Sequence, residues 1–313
     1  MKLHHTGKFN FRPKPPYSFE LTVRKPAGWS WFTPYEIWQK GTMWSGFWYG
    51  RIPIGVRAQA SGKGVSIRIY SKSKLREPDL SRLKRLMSEA LGVNEDITPF
   101  YRLIKKNRIL KSLIKHLYGM HEGWGMNIFS SLTLAILLQM APIKRSEEMW
   151  HCLIEKHGKK IEFDGKTILM WPEERTIAKQ EPKKLARDCK LGYRAKFLVK
   201  MAKQLVDGFP SVDELAKMSP EEANDKLQEL FGVGEYTAGF ANPHPTFILD
   251  VWSIKIFYPI IFGRHAPSKD PRSGIMKASK AAEDLWGDWR GYVLTYVLND
   301  LPYLEKKFGI PVK

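Results

Sequence analysis

Cysteine is nearly missing. Cys152 and Cys189 are the only two in 313 residues, which excludes a disulfide framework and a four-thiolate iron–sulfur or zinc centre built from this chain. Long apolar runs are missing too: the longest, LTLAILLQMA, is too short to cross a bilayer, so no membrane partner is expected. The start of the chain, MKLHHTGKFNFRPKPPY, lacks the apolar stretch of a secretory signal. The eight histidines gather with neither cysteines nor carboxylates in metal-binding spacings, so no catalytic metal is expected, and His4 and His5 read as an exposed tail. No internal repeat or low-complexity tract occurs. These absences describe a reducing, intracellular protein of the cytoplasm or nucleoid, expected to act as a monomer.

Negative charge is also in short supply, and that shortage points to a partner. Against 51 Lys and Arg stand 32 Asp and Glu, a net charge of +19 and a pI near 9.7. Such an excess attracts polyanions, and nucleic acid leads that class. The length suits two or three packed units. YSFELTV, GFWYGRIPIGVRAQA and GVSIRIYS are rich in β-branched and aromatic residues, with SGKG as a hairpin turn between the last two. From Leu80 the period becomes helical: Leu80, Leu83, Leu86 and Leu91 lie near one face before Gly92. ITPFYRLIKKNRILKSLIKHLYG continues in that style to Gly119. NIFSSLTLAILLQMAP is apolar nearly all round and reads as a buried central helix. IEFDGKTILMW reads as a small hairpin turning at Asp164–Gly165. The expected fold class is α+β, an antiparallel β-rich domain over residues 1–97 followed by a two-lobed helical body over 98–313.

The most informative stretch is SPEEANDKLQELFGVGEYTAGFANPHPTFILDVWSIKIF. Ser219 is a strong N-cap, Pro220 suits the first helical position and Glu222 completes a capping box. Ala223, Leu227 and Leu230 form the buried stripe. Gly232 stops the helix, and after Gly234 a second helix starts at once. A turn of Gly232, Val233 and Gly234, with Thr237 following, aims backbone N–H groups outward, as phosphate binding requires. Sixteen residues beyond Gly234 stands a lone carboxylate, Asp250, beside Trp252. On its own that residue reads as the N-cap of VWSIKIFYPIIF.

Residues 219–255 resemble the helix-hairpin-helix and following Asp loop of the DNA glycosylase superfamily that includes endonuclease III and the 8-oxoguanine and AlkA-type alkylbase glycosylases. LGYRAKFL at Leu191–Leu198 and WRGYVLTYVL at Trp289–Leu298 resemble the same superfamily, and the order of parts follows its AlkA and 8-oxoguanine branch. The resemblance implies a hairpin at 219–241, an Asp loop at 242–255, and Asp250 as the carboxylate that stabilises cationic character on the sugar and orients water. It places Tyr236, Phe240, Trp252 and Leu298 around an extruded base, with Trp124 and Phe129 as further candidates, and Gln139 and Met140 as the wedge that fills the vacated stack. The interval between hairpin and Asp is about one helical turn shorter than is usual there.

Members that also cleave the backbone attack the sugar with a Lys in the hairpin's second helix; Tyr236 stands at that position, and Lys255 should point elsewhere. The resemblance therefore implies a monofunctional hydrolase of damaged double-stranded DNA. Alkylated or deaminated purines such as 3-methyladenine or hypoxanthine are the expected substrates. Leu294 and Leu298 stand where a base-reading Gln and a stacking Phe would serve 8-oxoguanine. No cofactor is implied beyond a monovalent cation, sodium or potassium, on the hairpin carbonyls. The alternatives are a glycosylase with lyase activity or acting on oxidised bases, a non-catalytic hairpin DNA-binding protein, and an RNA-binding protein using the aromatics of GTMWSGFWYG.

Overall fold

The computed structural model describes residues 1–123, 127–244, 246–267 and 269–311; Trp124 lies outside them. The chain divides into two compact units. One gathers Met1–Pro13, Ser30–Val93 and Gly123–Pro243, and the other Lys14–Trp29, Asn94–Glu122 and His244–Lys313.

In the first unit an antiparallel sheet has the strand order β1 (His4–Phe11), β5 (Gly64–Ser71), β4 (Ile52–Ser61), β3 (Thr42–Tyr49), β2 (Ile37–Gln39). Alternation sets its inner face, where Ile54, Val56, Ala58, Ile67 and Ile69 are fully or almost fully buried. The helix Glu77–Ala90 buries Leu83, Leu86 and Met87 as its period demands. A second hairpin, β6 (Lys159–Phe163) and β7 (Lys166–Met170), turns at Asp164–Gly165, both with positive φ. It packs Ile161, Phe163, Ile168 and Met170 against Trp44, Trp48 and Tyr70 of the sheet. Gly55 makes room for it, since a Cβ there would stand 2.7 Å from the Phe163 ring. Because this hairpin lies within the helical part of the sequence yet packs on the sheet, the units do not divide where strands give way to helices near residue 97.

The rest of this unit is helical. Ile128–Leu138 buries Phe129, Leu132, Ile136 and Leu137 among residues of the helices Ile143–His157, Arg194–Val206, Pro220–Gln228 and Glu235–Ala241. This is the buried central helix that its composition implies. In the second unit, Thr98–Ile104, Arg108–Leu117, Ser253–Phe262, Pro271–Trp286 and Arg290–Asn299 enclose Phe100, Leu113, Phe257 and Tyr296.

Several local expectations are corrected. YSFELTV holds no strand: Phe19–Val23 is a short helix capped by the Ser18 side chain. His4 and His5 belong to β1 rather than to a tail, although both side chains remain exposed. ITPFYRLIKKNRILKSLIKHLYG breaks into two helices, because Asn107 accepts hydrogen bonds from the N–H groups of Ile109 and Leu110 and so starts a new one.

The two cysteines, expected to lie in a reducing environment, form a disulfide, Cys152–Cys189, across a separation of 37 residues. It ties the 143–157 helix to the residue that ends the helix Pro182–Asp188. Closing a loop of that length should stabilise the fold by about 4 kcal/mol through the unfolded chain. Scanning calorimetry with and without reductant checks this: melting should fall by roughly 10 °C on reduction, and an unchanged melting temperature would show that the bridge constrains nothing.

Candidate functional site

The hairpin forms as its sequence dictates. Ser219 Oγ accepts the Glu222 N–H at 3.1 Å, and Glu222 in return accepts the Ser219 N–H at 2.8 Å. Ala223, Leu227 and Leu230 are buried. Gly232 adopts φ +83, the left-handed conformation that lets the helix stop, while Gly234 is extended at φ −101, ψ −178. Among the described residues, the N–H groups of Gly232 and Gly234 make no hydrogen bond within the protein, and Gly234 is exposed.

Two residues of the turn do other work than expected. The Val233 N–H donates to Leu230 O, and the Val233 side chain is sunk in the core beneath the turn. Thr237 is 1% exposed, so its hydroxyl is out of reach of a phosphate. That hydroxyl accepts a hydrogen bond from Gln139 Nε2 at 2.9 Å, and the same amide reaches Gly232 O at 3.4 Å. The Arg194 guanidinium donates to Gln139 O. Thus the C-terminus of the apolar helix, the hairpin and the start of the 194–206 helix are stapled through one glutamine. Gln139 is a brace. Met140 next to it is 91% exposed with φ +49, a conformation uncommon for a non-glycine residue. Tyr236 is half-buried and Phe240 is 41% exposed.

In the second unit, Asp250 ends an irregular segment just before the helix Ser253–Phe262. Its Oδ1 accepts from the Ser253 N–H at 2.7 Å, the Ser253 hydroxyl at 2.7 Å and the Trp252 N–H at 3.1 Å. The Asp250 N–H donates back to Ser253 Oγ at 2.7 Å. The carboxylate is therefore held as a cap by one oxygen. Its other oxygen, Oδ2, makes no hydrogen bond among the described residues, and Asp250 is only partly buried. The capping and chemical readings of Asp250 are compatible, because each uses a different oxygen. Trp252 is 39% exposed, Lys255 is exposed, and Leu298 lies half-buried against the core of this unit.

Sequence reasoning missed a polar cluster in the second unit. His121 is fully buried, with Nδ1 3.0 Å from Glu95 Oε2 and Nε2 3.2 Å from Pro16 O. The Tyr292 hydroxyl donates to the same Glu95 oxygen. Glu122 Oε1 accepts from Thr295 at 3.0 Å, while its Oε2 is sealed from solvent without a partner among the described residues. Burial pushes the Glu122 carboxyl up from 4.5 to about 7; the Glu95 charge adds to that, and the Thr295 hydrogen bond and Lys25 oppose it. Only Tyr292 was visible beforehand, as part of WRGYVLTYVL.

A carboxyl raised in the folded state stabilises that state fully below its unfolded value. The contribution is lost as pH rises through about 7. Stability should fall by on the order of 3 kcal/mol between pH 4.5 and 7.5 from this group. Glu122→Gln should flatten that slope in denaturant titrations; an identical slope in the variant would remove Glu122 from the account.

Among the described residues no group of three or more His, Cys, Asp or Glu side chains could hold a metal ion, and no helix is long and apolar enough to cross a membrane.

No family model matches the chain. Over 219 residues it is 25% identical to a DNA-3-methyladenine glycosylase of Bacillus subtilis strain 168, covering 68% of this chain and 70% of that protein. Among solved structures, a 3-methyladenine DNA glycosylase from Archaeoglobus fulgidus matches with a TM-score of 0.74 at 18% identity, covering 97% of this chain and 100% of that one. MBOgg1, solved in complex with a low-affinity DNA ligand, matches with a TM-score of 0.71 at 20% identity, over 96% and 98% of the two chains. The apo form of a Clostridium acetobutylicum 8-oxoguanine glycosylase/lyase gives 0.68 at 17% identity, over 96% and 98%. The fold is shared across nearly the whole length of these chains.

Proposed function

We propose that this chain, a member of the helix-hairpin-helix DNA glycosylase superfamily, is a DNA N-glycosylase of base excision repair that hydrolyses the bond between a damaged purine and its sugar. The observation that carries the reading is Asp250: one oxygen is fixed by Ser253 and the helix start, and the other has no partner among the described residues. Breaking an N-glycosidic bond leaves positive character on the sugar, and a fixed carboxylate stabilises that charge without having to reorganise. The same oxygen can take a proton from the attacking water.

The remaining parts have matching tasks. The Gly232 and Gly234 N–H groups hold a backbone phosphate, Met140 enters the stack beside the vacated position, and Gln139 keeps wedge and hairpin in register. Tyr236 and Phe240 in the first unit, and Trp252 and Leu298 in the second, each present aromatic or apolar surface of the kind that suits an electron-poor alkylated purine. Any monovalent cation at the turn would share carbonyls already in use: Leu230 O accepts from Val233 and Gly232 O from Gln139. Each keeps a second lone pair, so the donor set remains compatible with such an ion.

Tyr236 in the second hairpin helix cannot form an imine, which favours a monofunctional hydrolase acting on methylated adenine or hypoxanthine. The test is release of free base from duplexes carrying 3-methyladenine-type lesions, hypoxanthine, uracil or 8-oxoguanine, with borohydride trapping alongside. Release of a purine without a trapped adduct is expected. Binding without release from every duplex would reduce the protein to a hairpin DNA-binding module, and a covalent adduct would make it a lyase.

A further inference from the structure

The outer face of the N-terminal sheet carries a pattern that neither the hairpin nor Asp250 explains. The register aligns Lys8 with Arg68, Arg68 with Arg57 and Arg57 with Trp44, one row across four strands. Two residues along the strands, on the same face, Asn10, Ser66, Gln59, Thr42 and Gln39 line up across all five. The β6–β7 hairpin covers the part of this face around Tyr70 and Trp44, and the rows next to it remain open. Lys8, Arg68 and Asn10 are exposed, and Arg57, Gln59 and Ser66 are partly so.

Like charges placed directly opposite in a sheet destabilise it, by up to about 1 kcal/mol per pair. Arg57 is balanced by Asp164 at 3.3 Å, which the Trp44 indole N–H also holds at 2.8 Å. Among the described residues Lys8 and Arg68 form no ion pair, although the Arg68 guanidinium interacts with the Tyr70 hydroxyl. Lys166 adds a further cation at the edge, 5.2 Å over the Trp44 ring, with its Nζ on Gln39 Oε1 at 2.7 Å. Cations interleaved with amides and hydroxyls are the donor set that grips phosphate oxygens irrespective of sequence. With strands about 4.8 Å apart, Lys8 to Arg57 spans roughly 10 Å. That is about three phosphate-to-phosphate steps of axial rise along one DNA strand. The open rows lack the apolar anchors that a lipid surface would require.

We infer that this face of the sheet is a second, sequence-independent contact for the phosphate backbone of undamaged duplex DNA, with Lys8 and Arg68 as its cations and Arg57, held by Asp164, at its margin. It serves to hold the enzyme on long DNA and takes no part in base release.

The full-length chain tests it. Affinity for an undamaged 25-base-pair duplex is measured by fluorescence anisotropy from about 50 to 300 mM salt, for the parent and for Lys8→Ala/Arg68→Ala. The double variant should lose roughly two units from the slope of log K against log salt, at 0.9 per phosphate contact. It should bind about tenfold more weakly at low salt, with its melting temperature no lower than the parent's and its single-turnover base release at saturation unchanged. The charge-conserving Lys8→Arg/Arg68→Lys variant should keep the parent slope, which separates lost charge from a disturbed sheet. An unchanged slope in the alanine variant overturns the inference, whether the face is merely solvated or meets an acidic protein. A changed slope with no base release from any lesion would leave this contact standing and sink the glycosylase reading instead; release with an unchanged slope would do the reverse.

Discussion

Replacing Gly232 by alanine is expected to destabilise the protein by about 2–4 kcal/mol and to weaken duplex binding at least tenfold, whereas Gly234→Ala should shift stability by no more than about 0.5 kcal/mol. The two glycines look equivalent in the sequence and differ in geometry. At Gly232 φ is +83, so an L side chain meets backbone strain of about 1 kcal/mol, and the new Cβ would stand 2.5 Å from the Phe197 ring. Phe197 is itself wedged edge-on against Tyr193 and Phe231, with ring centroids 5.2 and 5.6 Å away, so it has little room to yield. The turn must move, and its N–H groups lose their aim. At Gly234 φ is negative and no heavy atom lies within 4 Å of the added carbon. Denaturant titrations and anisotropy on both variants decide the matter. Equal losses at the two positions would show that the turn is not the rigid phosphate cradle proposed.

The second large effect is catalytic. Asp250→Asn should slow base release by about a thousandfold, the scale on which one transition-state-stabilising group is felt, and leave lesion-duplex affinity within a few fold. The asparagine keeps an oxygen that can accept from the Ser253 N–H and hydroxyl, so the local cap survives and stability should change by less than about 1 kcal/mol. Asp250→Ala removes the cap as well and should cost about 1 kcal/mol of stability on top of the lost rate. A rate loss that tracked stability through both variants would mean that Asp250 acts only as a cap.

Much of this is legible in the sequence alone, for identifiable reasons. The capping box of Ser219 and Glu222, the stripe of Ala223, Leu227 and Leu230 and the glycine stop are local rules, and the fold obeys them. The same holds for the Asp164–Gly165 turn and the apolar 128–138 helix. Where local signals were weak or contradictory, the reading failed. Phe19–Val23 alternates like a strand, but Ser18 caps it into a helical turn. β1 is polar and interrupted by Gly7, so only its pairing with β5 makes it a strand. The link from Gln139 to Thr237 joins residues 98 apart and follows no spacing rule. Neither does the cluster of Glu95, His121, Glu122, Tyr292 and Thr295, which is assembled from three separate stretches of chain. Asp250 sits between these cases: its D-x-x-S spacing announces the cap, while only the structure shows that the cap leaves Oδ2 without a partner among the described residues.

The central claim is that one carboxylate drives the loss of a damaged purine from duplex DNA. Its most direct measurement is mass-spectrometric detection of the freed base in a single-turnover reaction on a duplex carrying a methylated purine, run in parallel with the parent protein and Asp250→Asn. The account predicts stoichiometric free purine from the parent and about a thousandth of that rate from the variant. Equal yields at equal rates from both, or no free base from either despite tight binding, would contradict it.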